Sequence, residues 1–296
     1  VVFGDVGVRD LVVYRDICGG ENLFALALFT YLTKMIIKDI LSILEAVAPP
    51  HLQESYDNAG LIVGDPGAAV NGVLFCLDST EAVVDEAISL GCNLIVAHHP
   101  IVFKGLKRLN GTTYIERTVM KAVRADVAIY AIHTNLDNVH RQGVNAKIAE
   151  KIGLSDTRIL SPKPGAEVGI GAGLLGRLSQ PMEEQAFLRH VKNVMKTSCV
   201  RHTSLRGRPV ETVAVCGGAG SFLLSEALRA GADAFVTADF KYHEFFDAES
   251  RLVIADIGHY ESEQFTMELL YDIIQEKFPT FALQLTKTNT NPVHYL

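Results

Sequence analysis

The chain lacks any C-x-x-C pair, and its five cysteines (Cys18, Cys76, Cys92, Cys199, Cys216) are odd in number and widely spaced. That fits neither a disulfide framework nor a thiolate zinc site, and a reducing cytoplasm is the natural setting. It also lacks an apolar run of the roughly 18 to 20 residues that a membrane span needs. The longest candidate, 23–32 continuing to 37, is broken by Thr30, Thr33 and Lys34. Without a basic start or a small-residue cleavage pattern, it reads as a core or interface helix and not as a secretory signal. Basic charge is in short supply: 27 Lys and Arg against 34 Asp and Glu give a formal net charge of −7. This argues against a protein that coats nucleic acid, which requires clustered Lys and Arg, and leaves room for a small local basic patch.

What is present is a globular composition. With 296 residues, 48% of them hydrophobic, the chain can bury a substantial core in one large domain or two of ordinary size. Ile40, Leu41, Ile43, Leu44 and Val47 recur at helical spacing, predicting a helix over 38–47 that Pro49-Pro50 ends. A β-branched and aromatic run over 73–77 is followed by Ser79 or Thr80 as N-cap, a helical pattern over 83–90, Gly91, and a second strand over 94–97. This is a βαβ unit, which requires parallel strands and a right-handed crossover. The pattern returns at 213–216 and 234–237 at a constant offset of 140 residues, Cys76 falling on Cys216 and Gly91 on Gly231. A further strand follows each unit, over 127–132 and 252–257. The expected fold is therefore α/β, with two repeated α/β halves whose mostly parallel or mixed sheets face each other across a cleft. The Pro- and Gly-rich stretch 161–176 is the linker candidate between them, and 183–195 reads as a helix.

Polar residues gather where open α/β sheets place their ligands, past the carboxyl ends of strands. After the 94–97 strand comes His98-His99-Pro100; after the next, His133-Thr134-Asn135-Leu136-Asp137; after 252–257, Gly258-His259-Tyr260-Glu261-Ser262-Glu263. Adjacent histidines inside a strand point to opposite faces, so both reach one site only where the strand ends. His259 and Glu263, four apart, share one face of a helix. Nitrogen and oxygen donors without thiolate favour a hydrolytic divalent site, and a carboxylate shared between two ions is common in two-metal centres. The metal-ligand candidates are His98, His99, Asp137, His259 and Glu263.

The strings Tyr56-Asp57-Asn58-Ala59-Gly60-Leu61, Ala97-His98-His99-Pro100, His133-Thr134-Asn135-Leu136-Asp137, Gly143-Val144-Asn145 and Gly258-His259-Tyr260-Glu261-Ser262-Glu263, in this order, resemble the NIF-three-like family. Its members are often called GTP cyclohydrolase I type 2 homologues. The likeness runs from about Met35 to the C-terminus, which leaves 1–34 as an extension outside it, 35–160 as the first α/β half, 161–176 as linker and 177–296 as the second half of one NIF-three-like domain. The resemblance implies a dinuclear centre: His99 and Asp137 on one ion, His98 and His259 on the other, and Glu263 bridging. It also implies a toroidal homohexamer with the sites facing an internal cavity, and no inserted domain between the halves.

The leading function is a metal-dependent hydrolase of a small nucleotide-like or phosphorylated substrate, holding two divalent ions per chain, with zinc, manganese and iron all suited to the ligands. The alternative is a non-catalytic, metal-stabilised oligomer that binds a protein or nucleic-acid partner. His133 and Tyr260 are candidate catalytic groups, and His133, Tyr260 and Asp256 are all placed to orient ligands or carry protons, although ordinary hydrogen bonding is an equal reading for His133 and the stronger one for Asp256. Asp239, Lys241 and His243 are candidates for the cavity wall. Lys104, Lys107 and Arg108 read as a solvated loop, and Tyr56-Asp57-Asn58 as a turn. Gly217 to Gly220 reads as a tight strand-to-helix turn, with anion binding by its N–H groups as the second choice.

Overall fold

The computed structural model describes residues 35–296, so the expectations for 1–34 lie outside the described residues. The first helix, α1 (Ile37–Val47), buries Ile37, Ile40, Leu41 and Leu44 along one stripe, as the spacing predicts. Its start is fixed by Asp39, whose carboxylate accepts the Ile36 N–H at 2.9 Å, and Pro50 opens the 3-10 turn that follows it.

The first βαβ unit is β2 (Val73–Cys76), α2 (Glu81–Ser89) and β3 (Leu94–Ala97), following the short strand β1 (Gly60–Val63). Thr80 is the N-cap of α2, accepting from the Val83 N–H. Helix α3 (Tyr114–Arg124) then leads to β4 (Ala128–Ala131), the turn α4 (Thr134–Asp137) and helix α5 (Val144–Ile152). The second half contains β5 (Leu154–Pro162), β6 (Gly171–Met182), α6 (Glu184–Val194), β7 (Arg201–His202), β8 (Val210–Ala219), α7 (Leu224–Arg229), β9 (Ala234–Ala238) and β10 (Val253–Asp256). Two helices, α8 (His259–Glu263) and α9 (Thr266–Lys277), and strand β11 (Leu283–Leu285) complete the chain.

The architecture is mixed α/β with two sheets, ordered β1-β4-β3-β2-β11 and β5-β6-β8-β9-β10-β7. The repeat is visible in the pairing itself. Val73 sits opposite Leu94 in the parallel β2/β3 pair, and Val213 opposite Ala234 in the parallel β8/β9 pair, each residue 140 positions on. Each parallel triplet also ends in an antiparallel edge strand, β1 on β4 and β7 on β10.

Two features depart from expectation. The 161–176 stretch is not a free linker, because Ser161 pairs with Ala172 and Pro162 with Gly171 in the β5/β6 hairpin, leaving 163–170 as its connection. Its glycines within β6 serve close packing: Gly173 has φ +63°, and a Cβ there would press on Leu223 and the Val215 carbonyl. In addition, β11 returns from the far end of the chain to pair in parallel with β2, so the first sheet draws on both ends of the sequence.

Burial explains why the central strands read as unbroken apolar runs, since they are covered on both faces. Val73, Phe75, Leu94 and Val96 face a central core shared with Val213, Val215, Ala234 and Val236, into which α1, α5, α6 and α9 pack. Leu74, Cys76, Ile95 and Ala97 face a second cluster under α2 and α3, and Ala214, Cys216 and Phe235 face a third. No helix among the described residues is long and apolar enough to cross a membrane.

Candidate metal centre

Strand β3 ends at Ala97, so the chain leaves the ladder at His98 and the two adjacent histidines are free to diverge within one site. His98 is fully buried, and its Nδ1 donates to the Ile132 carbonyl at 2.9 Å. A carbonyl only accepts, so the proton is on Nδ1 and the Nε2 lone pair faces inward. His99 Nδ1 donates to Asp78 Oδ1 at 2.8 Å, and His259 Nδ1 to Asp239 Oδ2 at 2.7 Å. His133 Nδ1 donates to Asp57 Oδ1 at 2.8 Å. Four rings are thus held in the same tautomer by outer acceptors, the arrangement that carboxylate–histidine partners impose on metal-ligating imidazoles.

The inward nitrogens meet carboxylates. His99 Nε2 lies 3.0 Å and His259 Nε2 3.2 Å from Glu263 Oε2, and the two nitrogens are 3.4 Å apart. On the other side, His98 Nε2 lies 3.7 Å from Asp137 Oδ1 and 3.7 Å from Glu263 Oε1. These are too long for hydrogen bonds, and His98 Nε2 and Asp137 Oδ1 are both buried with no hydrogen-bond partner. Two donors about 2.1 Å from one tetrahedral ion stand roughly 3.4 Å apart, so the separations are close to those of ligands sharing a cation. Two groups result, His98 with Asp137 and Glu263, and His99 with His259 and Glu263; a third brings His133 beside His98 and His99.

All five sequence candidates therefore converge. In space the donor atoms group as His98 with Asp137 and Glu263 and as His99 with His259 and Glu263, whereas the resemblance implies His99 with Asp137 and His98 with His259. Because adjacent side chains diverge, His98 turns toward the α4 turn and His99 toward α8.

The electrostatics of the ion-free cluster follow from the same contacts. Burial opposes charge on His99, but Asp78 and Glu263 outweigh it and push the ring up to about 9. Against the same opposition, Asp239 and Glu263 lift His259 to about 11. Burial and then the negative charge of Glu263 raise Asp137 above the carboxylate range, while the close contacts of Glu263 with His259 and His99 overcome burial and hold Glu263 well below it. Protons on imidazoles thus balance the carboxylates, and a cation bound there would take their place.

Several supporting residues were not marked by the sequence. Asp78 was not singled out, and Asp239 reaches the site as the partner of His259 and not as cavity wall. Asp57 does more than shape a turn: besides orienting His133, it accepts from the Thr134 N–H at 3.0 Å and so fixes the start of the turn that carries Asp137. Burial works against its charge, yet His133 and Thr134 lower Asp57 to about 2. The glycines at 217–218 belong to the end of β8. Their two N–H groups are already engaged, Gly217 by Asn145 Oδ1 at 3.0 Å and Gly218 by Ser262 Oγ at 2.9 Å, and the strand passes through Gly220 straight into a 3-10 turn at Ser221. Gly218 has φ +61°, and a Cβ there would collide with Glu263 Oε1, so glycine is what lets the strand approach the carboxylate.

Asp256 is structural: it is ion-paired to Arg201 at 3.0 Å and accepts the Phe240 N–H at 3.0 Å. Lys241 and His243 lie on the 3-10 segment Tyr242–Ala248 and its N-cap, with the His243 ring stacked on Phe246. A cavity of about 1380 Å³ opens over the cluster, lined by His99, Asp137, His259 and Glu263 together with His133 and Tyr260. Lys104, Lys107 and Arg108 are exposed in an irregular loop, as the sequence reading has it, and that loop also borders the cavity.

The Duf34/NIF3 family (NGG1p interacting factor 3) matches residues 35–292. A GTP cyclohydrolase 1 type 2 homolog of Clostridium acetobutylicum is 33% identical over 228 residues, covering 77% of this chain and 85% of that protein. One from Streptomyces coelicolor is 31% identical, covering 86% and 93%. The crystal structure of a Staphylococcus aureus hypothetical protein superposes with a TM-score of 0.83 at 29% identity, covering 88% of this chain and 99% of that one. A Bacillus cereus protein related to NIF3 gives 0.81 at 26% identity, covering 88% and 99%.

Proposed function

This chain belongs to the Duf34/NIF3 family, and from that premise we propose that it is a hydrolase dependent on two divalent ions, acting on a small phosphorylated, nucleotide-like molecule. The observation that carries the reading is the orphaned pair His98 Nε2 and Asp137 Oδ1, buried 3.7 Å apart beside Glu263. Leaving two such polar atoms unpaired costs about 1–3 kcal/mol each, and a cation is the partner that satisfies both. His98, Asp137 and Glu263 Oε1 would hold one ion; His99, His259 and Glu263 Oε2 would hold the second, with Glu263 shared. When bound, such ions lower the pKa of water and neutralise charge on phosphoryl oxygens.

The remaining roles belong to the chain. The α/β halves are read as facing each other across the cavity, the first contributing His98, His99 and Asp137, the second His259 and Glu263. His133, held by Asp57, and the Tyr260 hydroxyl are the groups placed to move a proton at the substrate. Lys104, Lys107 and Arg108 give the cavity wall a positive face, and none of them is ion-paired among the described residues. Phe103, Tyr56 and Tyr114, all exposed and lining the same cavity, offer apolar planes for a ring. An anionic group on the basic wall and a planar base on these rings is the ligand that both features fit.

The test is metal analysis followed by a hydrolysis screen over nucleotides and phosphoesters, comparing wild type with Asp137→Ala and Glu263→Gln. Two ions per wild-type chain and turnover lost in both variants is the expected result. Two ions with no turnover of any substrate would remove the hydrolase reading, and no bound ion would remove the metal reading as well.

A further inference from the structure

The last residues of the chain do more than close the first sheet. After pairing in parallel with β2, the chain extends the ladder with Thr286 N–H donating to the Phe75 carbonyl at 3.0 Å. It is then anchored on one carboxylate: Glu86 of α2 accepts the Lys287 N–H and the Thr288 hydroxyl, each at 2.7 Å, and the Thr286 hydroxyl as well. Beyond the anchor, the Thr290 hydroxyl donates to Asp78 Oδ2 at 2.8 Å, while the other oxygen of that carboxylate takes His99 Nδ1 at 2.8 Å. The next residue, Asn291, donates from Nδ2 to Glu261 Oε1 at 3.0 Å. Glu261 is buried on α8, between His259 and Glu263.

We propose that the C-terminal segment 286–291 is a clamp on the metal centre, in which Thr290 positions His99 through Asp78 and Asn291 steadies α8 through Glu261. The inference rests on the metal reading of the cluster. Its physical basis is rotational. Asp78 is partly open to solvent, so a carboxylate held only by His99 could swing about its Cβ–Cγ bond; a second hydrogen bond on the opposite oxygen fixes its plane and with it the direction of the His99 Nε2 lone pair. Fixing an outer partner in this way preserves ligand geometry, and losing such a partner weakens metal binding. The clamp also joins elements far apart in sequence, since the same segment reaches the loop after β2 and the helix carrying His259 and Glu263.

The experiment titrates zinc against a competing chelator in the full chain, using wild type, Thr290→Val, Thr290→Ser and Asp78→Asn. Thr290→Val is expected to weaken zinc binding about three- to tenfold, less than Asp78→Asn, which keeps an oxygen that can accept from His99 but removes the carboxylate charge and is expected to cost at least about tenfold. Thr290→Ser, which keeps the hydroxyl, is expected to stay within about twofold of wild type. Wild-type affinity in Thr290→Val alongside weakened Asp78→Asn would overturn the clamp and leave the metal reading standing. Equal loss in Thr290→Ser and Thr290→Val would also overturn it, by assigning the effect to packing. Absence of zinc binding in the wild type would remove both.

Discussion

Replacing Asp137 by Asn separates what the centre costs from what it does. In the ion-free protein Asp137 faces Glu263, and the donor atoms of His98, Asp137 and Glu263 all lie within 4.8 Å of one another. Two like charges at that spacing repel by about 3 kcal/mol at an effective dielectric of about 20. The Asp137 side chain is 26% exposed, and solvent screening reduces this to about 1–3 kcal/mol. The amide of the variant removes the repulsion and can donate to the orphaned His98 Nε2. Asp137→Asn is therefore expected to make chelator-stripped protein more stable at pH 8, raising Tm by about 2–4 °C per kcal/mol. The sign is that of an acid raised on folding: the cost is absent at low pH, where the group is protonated in both states, and is fully expressed above its folded value. Adding zinc should reverse the ranking, because an ion at a hundred times its Kd stabilises wild type by about 2.7 kcal/mol and has lost a ligand in the variant. Calorimetric scans of both proteins, with chelator and with zinc, make the test. A variant less stable than wild type when stripped, or equally stabilised by zinc, would refute the reasoning.

Gly218→Ala should displace Glu263 and weaken zinc binding at least tenfold, measured by chelator competition; unchanged affinity would show that the strand need not approach so closely. Asp57→Asn should lose about 2 kcal/mol of stability above pH 5, because the Asp57 side chain is fully buried and its folded value of about 2 lies below the 3.8 of the unfolded chain. That contribution is lost as pH falls, so the gap between variant and wild type in urea titrations should shrink to about half at pH 3; a constant gap would contradict it. Once a phosphorylated substrate is in hand, Lys107→Ala with Arg108→Ala should raise KM about tenfold at constant kcat, the mark of lost uniform binding. The ring assembly proposed from the resemblance predicts a light-scattering mass six times the 32.3 kDa of one chain, and a monomer would exclude it.

Much of this was legible in the sequence because the ligands come in short strings at strand ends, where chain direction and burial pattern already fix their place. The 140-residue offset survives into the strand register and then breaks: Leu94 pairs with Ala128, but Ala234 with Val253. What was not legible depends on contacts between distant segments. Asp78, Asp239 and Asp57 lie 21, 20 and 76 residues from the histidines they hold, and no spacing rule links them. Strand β11 has three residues, one of them buried, and so carries no period to read. Glycine has a packing role at both places: at 171–176 and at 217–218 it marks close approach of backbone to packed neighbours, where composition suggested a linker or a turn. The grouping of the donor atoms, too, is set by the directions in which His98 and His99 diverge, and direction is not written in a list of residues.

The most direct test is a crystal structure of zinc-loaded protein with anomalous scattering recorded at the zinc edge. Two peaks are predicted, one among His98 Nε2, Asp137 Oδ1 and Glu263 Oε1, the other among His99 Nε2, His259 Nε2 and Glu263 Oε2. An empty cluster, or an ion held jointly by His98 and His259 without Asp137, would contradict the account.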